Sequence, residues 1–138
     1  MNVIKWLGLG VAVLCLVSCS GGKYADAKSA MNDQASAMDD FVSKVEKAGS
    51  GKDVAAAVDR YSEHTARMIE QGKKMKEKYK GMDLENAPEL KAEMEKVKQS
   101  AMKFAQAFMK ISTQYGSDPD VQAALAKWRE TMNRMAQP

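Results

Sequence analysis

Residues 90–115 read LKAEMEKVKQSAMKFAQAFMKISTQY, and within them Leu90, Met94, Val97, Ala101, Phe104, Phe108, Ile111 and Tyr115 follow one another at alternating steps of four and three. Those steps hold every apolar residue on one stripe of an α-helix, which turns once in about 3.6 residues. Pro88 stands in the opening turn after Asn86 and Ala87, where a missing N–H costs nothing, and Gly116 closes the run. The stretch predicts one long amphipathic helix with a single buried face.

The same period extends on both sides. Tyr24, Ala27, Met31, Met38, Val42 and Val45 mark a first helix that stops at Gly49-Ser50-Gly51. Ser50 and Asp53 are spaced as a capping box for a second helix. It carries Val54, Val58, Tyr61, Thr65, Met68, Met75 and Tyr79, and ends at Gly81. A fourth helix opens at Asp118-Pro119 and carries Val121, Leu125, Trp128, Met132 and Met135. No period-two run appears, so no strand is expected. The predicted fold class is all-α: an up-down antiparallel bundle of three long helices plus a shorter fourth anchored by Trp128. Loops of a few residues favour sequence neighbours packing side by side.

The first eighteen residues follow a different grammar. Lys5 is followed by an apolar run from Trp6 to Leu16 and then by small residues. The run is about half the length a bilayer span needs, which favours a cleaved export signal over a permanent transmembrane helix. The segment Leu16-Val17-Ser18-Cys19 resembles the lipobox of bacterial lipoproteins. That resemblance implies that Cys19 receives a diacylglyceryl group and becomes the first residue after cleavage. Cys15 follows the bulky Leu14 and fits the pattern less well. Residues 1–18 are thus expected to be a lipoprotein signal peptide, 19–23 a lipidated tether and 24–138 the helical bundle domain. By resemblance to enterobacterial sorting, Ser20 in the place of a retaining Asp permits the outer membrane, with the domain facing the periplasm.

Charge and cysteine content narrow the chemistry. The formal charge of the chain is +3; without Lys5 it is 20 basic against 18 acidic residues, or +2. This is too near neutral to suggest a nucleic-acid partner. With Cys15 removed and Cys19 acylated, the domain has no thiol for a disulfide, a thiolate metal site or a nucleophile. No Gly-rich phosphate loop and no His-Glu-x-x-His occurs, and no carboxylate pair falls on an apolar helix face.

The remaining candidates are few. His64, the single histidine, lies at the edge of the second helix's stripe with no serine, threonine or carboxylate placed to make a triad with it. A bundle holding one His and many Met suggests non-covalent haem as an alternative role for His64. The methionines suggest Cu(I), for which Met132 and Met135, three apart, are the candidate ligands. Stripe methionine is ordinarily core filler, and no cofactor is expected. Met102 and Met109 stand about a hundred degrees off the third stripe, either widening it or offering a partner surface.

Lys73, Lys74, Lys76, Lys78 and Lys80 make the end of the second helix basic. A tether of Cys19 to Lys23 reaches at most about 17 Å, so these lysines are expected near anionic headgroups. The expectation is a non-enzymatic interaction or structural module of the cell envelope, anchored through lipid on Cys19, with a possible protein partner. The alternative is a binder of haem, copper or an apolar ligand in the bundle core.

Overall fold

The computed structural model describes residues 22–135. They form four α-helices, α1 Ala25–Lys47, α2 Gly51–Lys78, α3 Lys91–Gln114 and α4 Pro119–Met135, with a 3-10 turn at Pro88–Leu90 leading into α3. Among the described residues there is no strand.

Local chemistry sets the boundaries. At the start of α2, Asp53 N–H donates to Ser50 Oγ at 3.2 Å, while Ser50 Oγ and Gly49 N–H both donate to the Asp53 carboxylate at 2.8 and 3.3 Å. This closes the expected capping box. After α2 the chain turns at Gly81, whose φ of 80° is open to glycine at little cost. Asp118 caps α4, its Oδ1 accepting from Asp120 and Val121 N–H. The same carboxylate lies against Gly51, where any Cβ would overlap it.

Pairwise contacts fix how the helices run. Lys28 meets Glu93 at 3.9 Å, Lys96 donates to Asn32 at 3.0 Å, and Tyr115 OH donates to the Ala48 carbonyl at 3.4 Å. α1 and α3 therefore run parallel. α2 and α4 are parallel as well, through Lys127 with Asp59 at 3.1 Å and Ser62 with Thr131 at 3.1 Å. α1 and α2 are antiparallel, with Arg60 near Asp40 and Lys78 paired to Asp26. The two largest interfaces, α1 with α3 and α2 with α4, join helices two apart in sequence. This differs from the expectation that sequence neighbours make the main contacts. Residues 79–90 make this connection: Tyr79, Ala87 and Leu90 are buried with Ala27, so the segment is itself packed against the start of α1 before α3 begins.

Two cores result. Phe41, Val45, Val54, Val58, Ile111 and Val121 are buried together where all four helices meet. At the other end Ala27, Tyr79, Ala87 and Leu90 form a second cluster, with Tyr24, Met31, Met75, Leu84 and Met94 packed against it. α3 and α4 meet chiefly through large rings. Trp128 stands 6.2 Å from Phe104 and 5.3 Å from Phe108, in a cluster that includes Tyr61 and Phe41.

One predicted face is rotated. Ala101, expected in the stripe of α3, is exposed, whereas Ser100 and Ala107 are buried and Phe104 and Phe108 are half-buried. α3 turns its small side chains toward the close contact with α1, where Ala35 is also fully enclosed. Met102 and Met109 consequently do not widen the buried face; they are 61% and 63% exposed.

Candidate functional site

Cys19, the signal segment 1–18 and the first part of the tether lie outside the described residues. The described chain enters at Gly22 and passes through Tyr24 into α1. This entry shares one end of the molecule with the last turn of α2. The Tyr24 and Tyr79 rings lie 5.9 Å apart, and Lys78 is ion-paired to Asp26. Lys73, Lys74, Lys76, Lys78 and Lys80 are all exposed there. Lys73 is 3.9 Å from Glu70. The hydrogen bond from Lys78 to Asp26 holds the Lys78 ammonium above its ordinary pKa.

Along the α1–α2 seam the charges are ordered in a way the apolar stripes did not reveal. Asp26, Asp33 and Asp40 recur every seventh residue on α1. Across from them α2 presents Arg60, Arg67 and Lys74, also seven apart, together with Lys78. Arg60 reaches Asp40 at 3.8 Å, and the Lys44 hydrogen bond pulls the Asp40 pKa below its usual value. The signal was present in the sequence as two polar heptads, one acidic and one basic.

His64 sits in this seam. With Asp33, Ser36, Asp40, Arg60, Tyr61 and Arg67 it lines a cleft of about 280 Å³ between α1 and α2. Its ring stacks on Tyr61 at 6.5 Å, and Nε2 is enclosed without a hydrogen-bond partner. Burial lowers its pKa, Arg67 lowers it further, and Asp33 opposes both. Ser36 lines the same cleft. Ala37, Phe41 and Ala57 supply the apolar part of the same lining.

The copper candidates fare differently from each other. Met132 is 39% exposed on α4, while the side chain of Met135 lies outside the described residues. Among the described residues no three of His, Cys, Asp and Glu come together as a metal-holding group. No described helix is long and apolar enough to cross a membrane.

The lysine-rich end beside the chain entry and the charged seam holding His64 are thus the two polar surfaces the fold builds from predicted residues. The chain matches no protein-family model, no curated protein and no solved structure, so its function has to be argued from its own residues.

Proposed function

We propose that this chain is a lipid-anchored module of the bacterial cell envelope, whose helical domain acts by contact and not by catalysis. The observation that carries this reading is the order Lys5, apolar Trp6–Leu16, then Leu16-Val17-Ser18-Cys19, directly ahead of an amphipathic domain. Two or three acyl chains on Cys19 give stable membrane residence, which a single chain does not. Ser20 favours the outer membrane, with the domain in the periplasm. The domain is read as a bundle of helices alternating in direction. The arrangement of its ends supports the anchoring: chain entry, the close of α2 and the start of α3 share one end of the molecule. The partners are then the bilayer surface and a second envelope protein.

Labelled palmitate fed to the expressing bacterium tests this reading. Wild type should incorporate label and fractionate with membranes. Cys19→Ser should incorporate none and appear as uncleaved or soluble protein. Equal labelling and partition of the two would refute the anchor.

A further inference from the structure

The side of α3 that faces away from the core has a pattern of its own. Met102 lies nine residues from Ile111 and Met109 nine from Ser100. At about 100° per residue each methionine stands about 180° from a buried partner. Ile111 and Ser100 are 0% and 3% exposed, Met102 and Met109 61% and 63%. The two thioethers therefore project straight outward, two turns apart, and nothing in the fold accounts for them.

The charges around them are mostly cationic, the acidic exception being Glu95, one heptad before Met102 on the same face. From residue 96 to 117 the chain contains Lys96, Lys98, Lys103 and Lys110 and no acidic residue. Lys96 is bonded to Asn32. Among the described residues no ion pair engages Lys98, Lys103 or Lys110. Exposed apolar side chains flanked by unpaired lysines suit the boundary between headgroups and acyl chains, where the ammonium stays at the phosphates while its stem lies along apolar surface.

We propose that this outward face of α3 rests on an anionic lipid surface, so that the bundle lies along the bilayer with Met102 and Met109 inserted and Lys98, Lys103 and Lys110 at headgroup phosphates. The inference rests on the anchored reading, because the anchor supplies the proximity. α3 runs parallel to α1, with Glu93 beside Lys28 near the chain entry, and a lipid on Cys19 holds the start of α3 at the membrane. The posture is side-on, in contrast to an end-on contact through Lys73–Lys80.

The test uses the chain from Ser20 onward, which contains every residue of both cores, alongside the acylated protein. Ala105, exposed between the methionines, is replaced by Cys and labelled with a polarity-sensitive fluorophore; Glu63→Cys on α2 is the control. With vesicles of phosphatidylcholine and phosphatidylglycerol, the Ala105 label should shift to the blue in both forms. Binding of the soluble form should weaken as salt rises and be absent on pure phosphatidylcholine. Lys98→Gln/Lys103→Gln/Lys110→Gln should lower its partition about a hundredfold, at about 1 kcal/mol per lysine. Met102→Gln/Met109→Gln should lower it as well, with both variants keeping helical circular dichroism. The inference is overturned if the parent fails to bind, as it would if the face fits an acidic protein instead. Equal binding by the triple variant, or a Glu63 label that responds as strongly, also overturns it. Loss of palmitate labelling in the full chain would count against the anchor alone, since the soluble form reports on the face by itself.

Discussion

Ile111 is 0% exposed and sits in the larger core among Val45, Val54, Val58 and Val121, so its truncation measures how tightly four helices close on one point. Ile111→Ala removes three carbons, a transfer loss of about 2.4 kcal/mol at about 0.8 kcal/mol per methylene. If the surroundings do not collapse, a void of roughly 80 Å³ adds up to about 2 kcal/mol. The expected total is about 2.5–4.5 kcal/mol. With a urea slope of about 1.5 kcal/mol/M, the midpoint should fall by roughly 2 M or more. The assay has a built-in reporter: in a chain that begins at Ser20, Trp128 is the sole tryptophan. Its fluorescence follows docking of α4 onto Phe104 and Phe108, while circular dichroism follows all four helices. Ile111→Val, at about 0.5–1.5 kcal/mol, supplies a measurable point if the Ala variant is already unfolded. A loss below about 1 kcal/mol for Ile111→Ala would refute the enclosure of this side chain and the four-helix core with it.

Adjacent residues test the rotated face of α3: Ser100→Glu should unfold the domain or cost more than about 3 kcal/mol, while Ala101→Glu should stay within about 0.5 kcal/mol, as surface changes do. The reverse order by thermal melting would restore the face expected from the stripe. Gly51→Ala, which elsewhere in a helix gains up to about 1 kcal/mol, should instead cost about 1 kcal/mol by displacing the Asp118 cap from Asp120 and Val121 N–H. That cost should vanish in an Asp118→Ala background, and a stabilised single variant would contradict the account. Because burial and Arg67 lower the pKa of His64 in the fold, the unfolded chain binds its proton first. Stability should therefore be complete above about pH 6.5 and decline as pH falls through that value toward the folded pKa. Urea midpoints of His64→Gln should decline less over the same interval; an equal decline would clear His64 of the effect.

How far the sequence could be read depended on which interaction decides each feature. Helix boundaries were legible because caps are local: Ser50 with Asp53 and Asp118 before Pro119 act within four residues. The burial of Val54, Val58 and Ile111 followed from spacing alone. The rotation of α3 was not legible, because Ser100 and Ala107 are chosen by how closely α1 approaches, and an Ala101 stripe looks equally apolar in one dimension. Nor was the pairing of α1 with α3, since loop length favours sequence neighbours and only the packed Tyr79–Leu90 connection overrides it. At the candidate site, the end of α2 lies beside the start of α1, where Lys78 pairs with Asp26. The cleft around His64 was missed because it is built from Asp33 and Asp40 on one helix and Arg60 and Arg67 on another, which share no stripe until the helices pair.

The parallel pairing of helices also bears on how fast the native state can be reached. Asn32 and Lys96 are 64 residues apart, Asp59 and Lys127 68, and Ser62 and Thr131 69. Contacts at such separations close large loops before they return any energy, so folding should be slower than in bundles dominated by adjacent hairpins. The α1–α2 hairpin joins across a short turn, yet the larger interfaces of both helices need α3 and α4. A chain released before Ile111 has joined Val45 and Val54 keeps its apolar stripes open, and in that interval it is a target for proteases and for other unfolded chains.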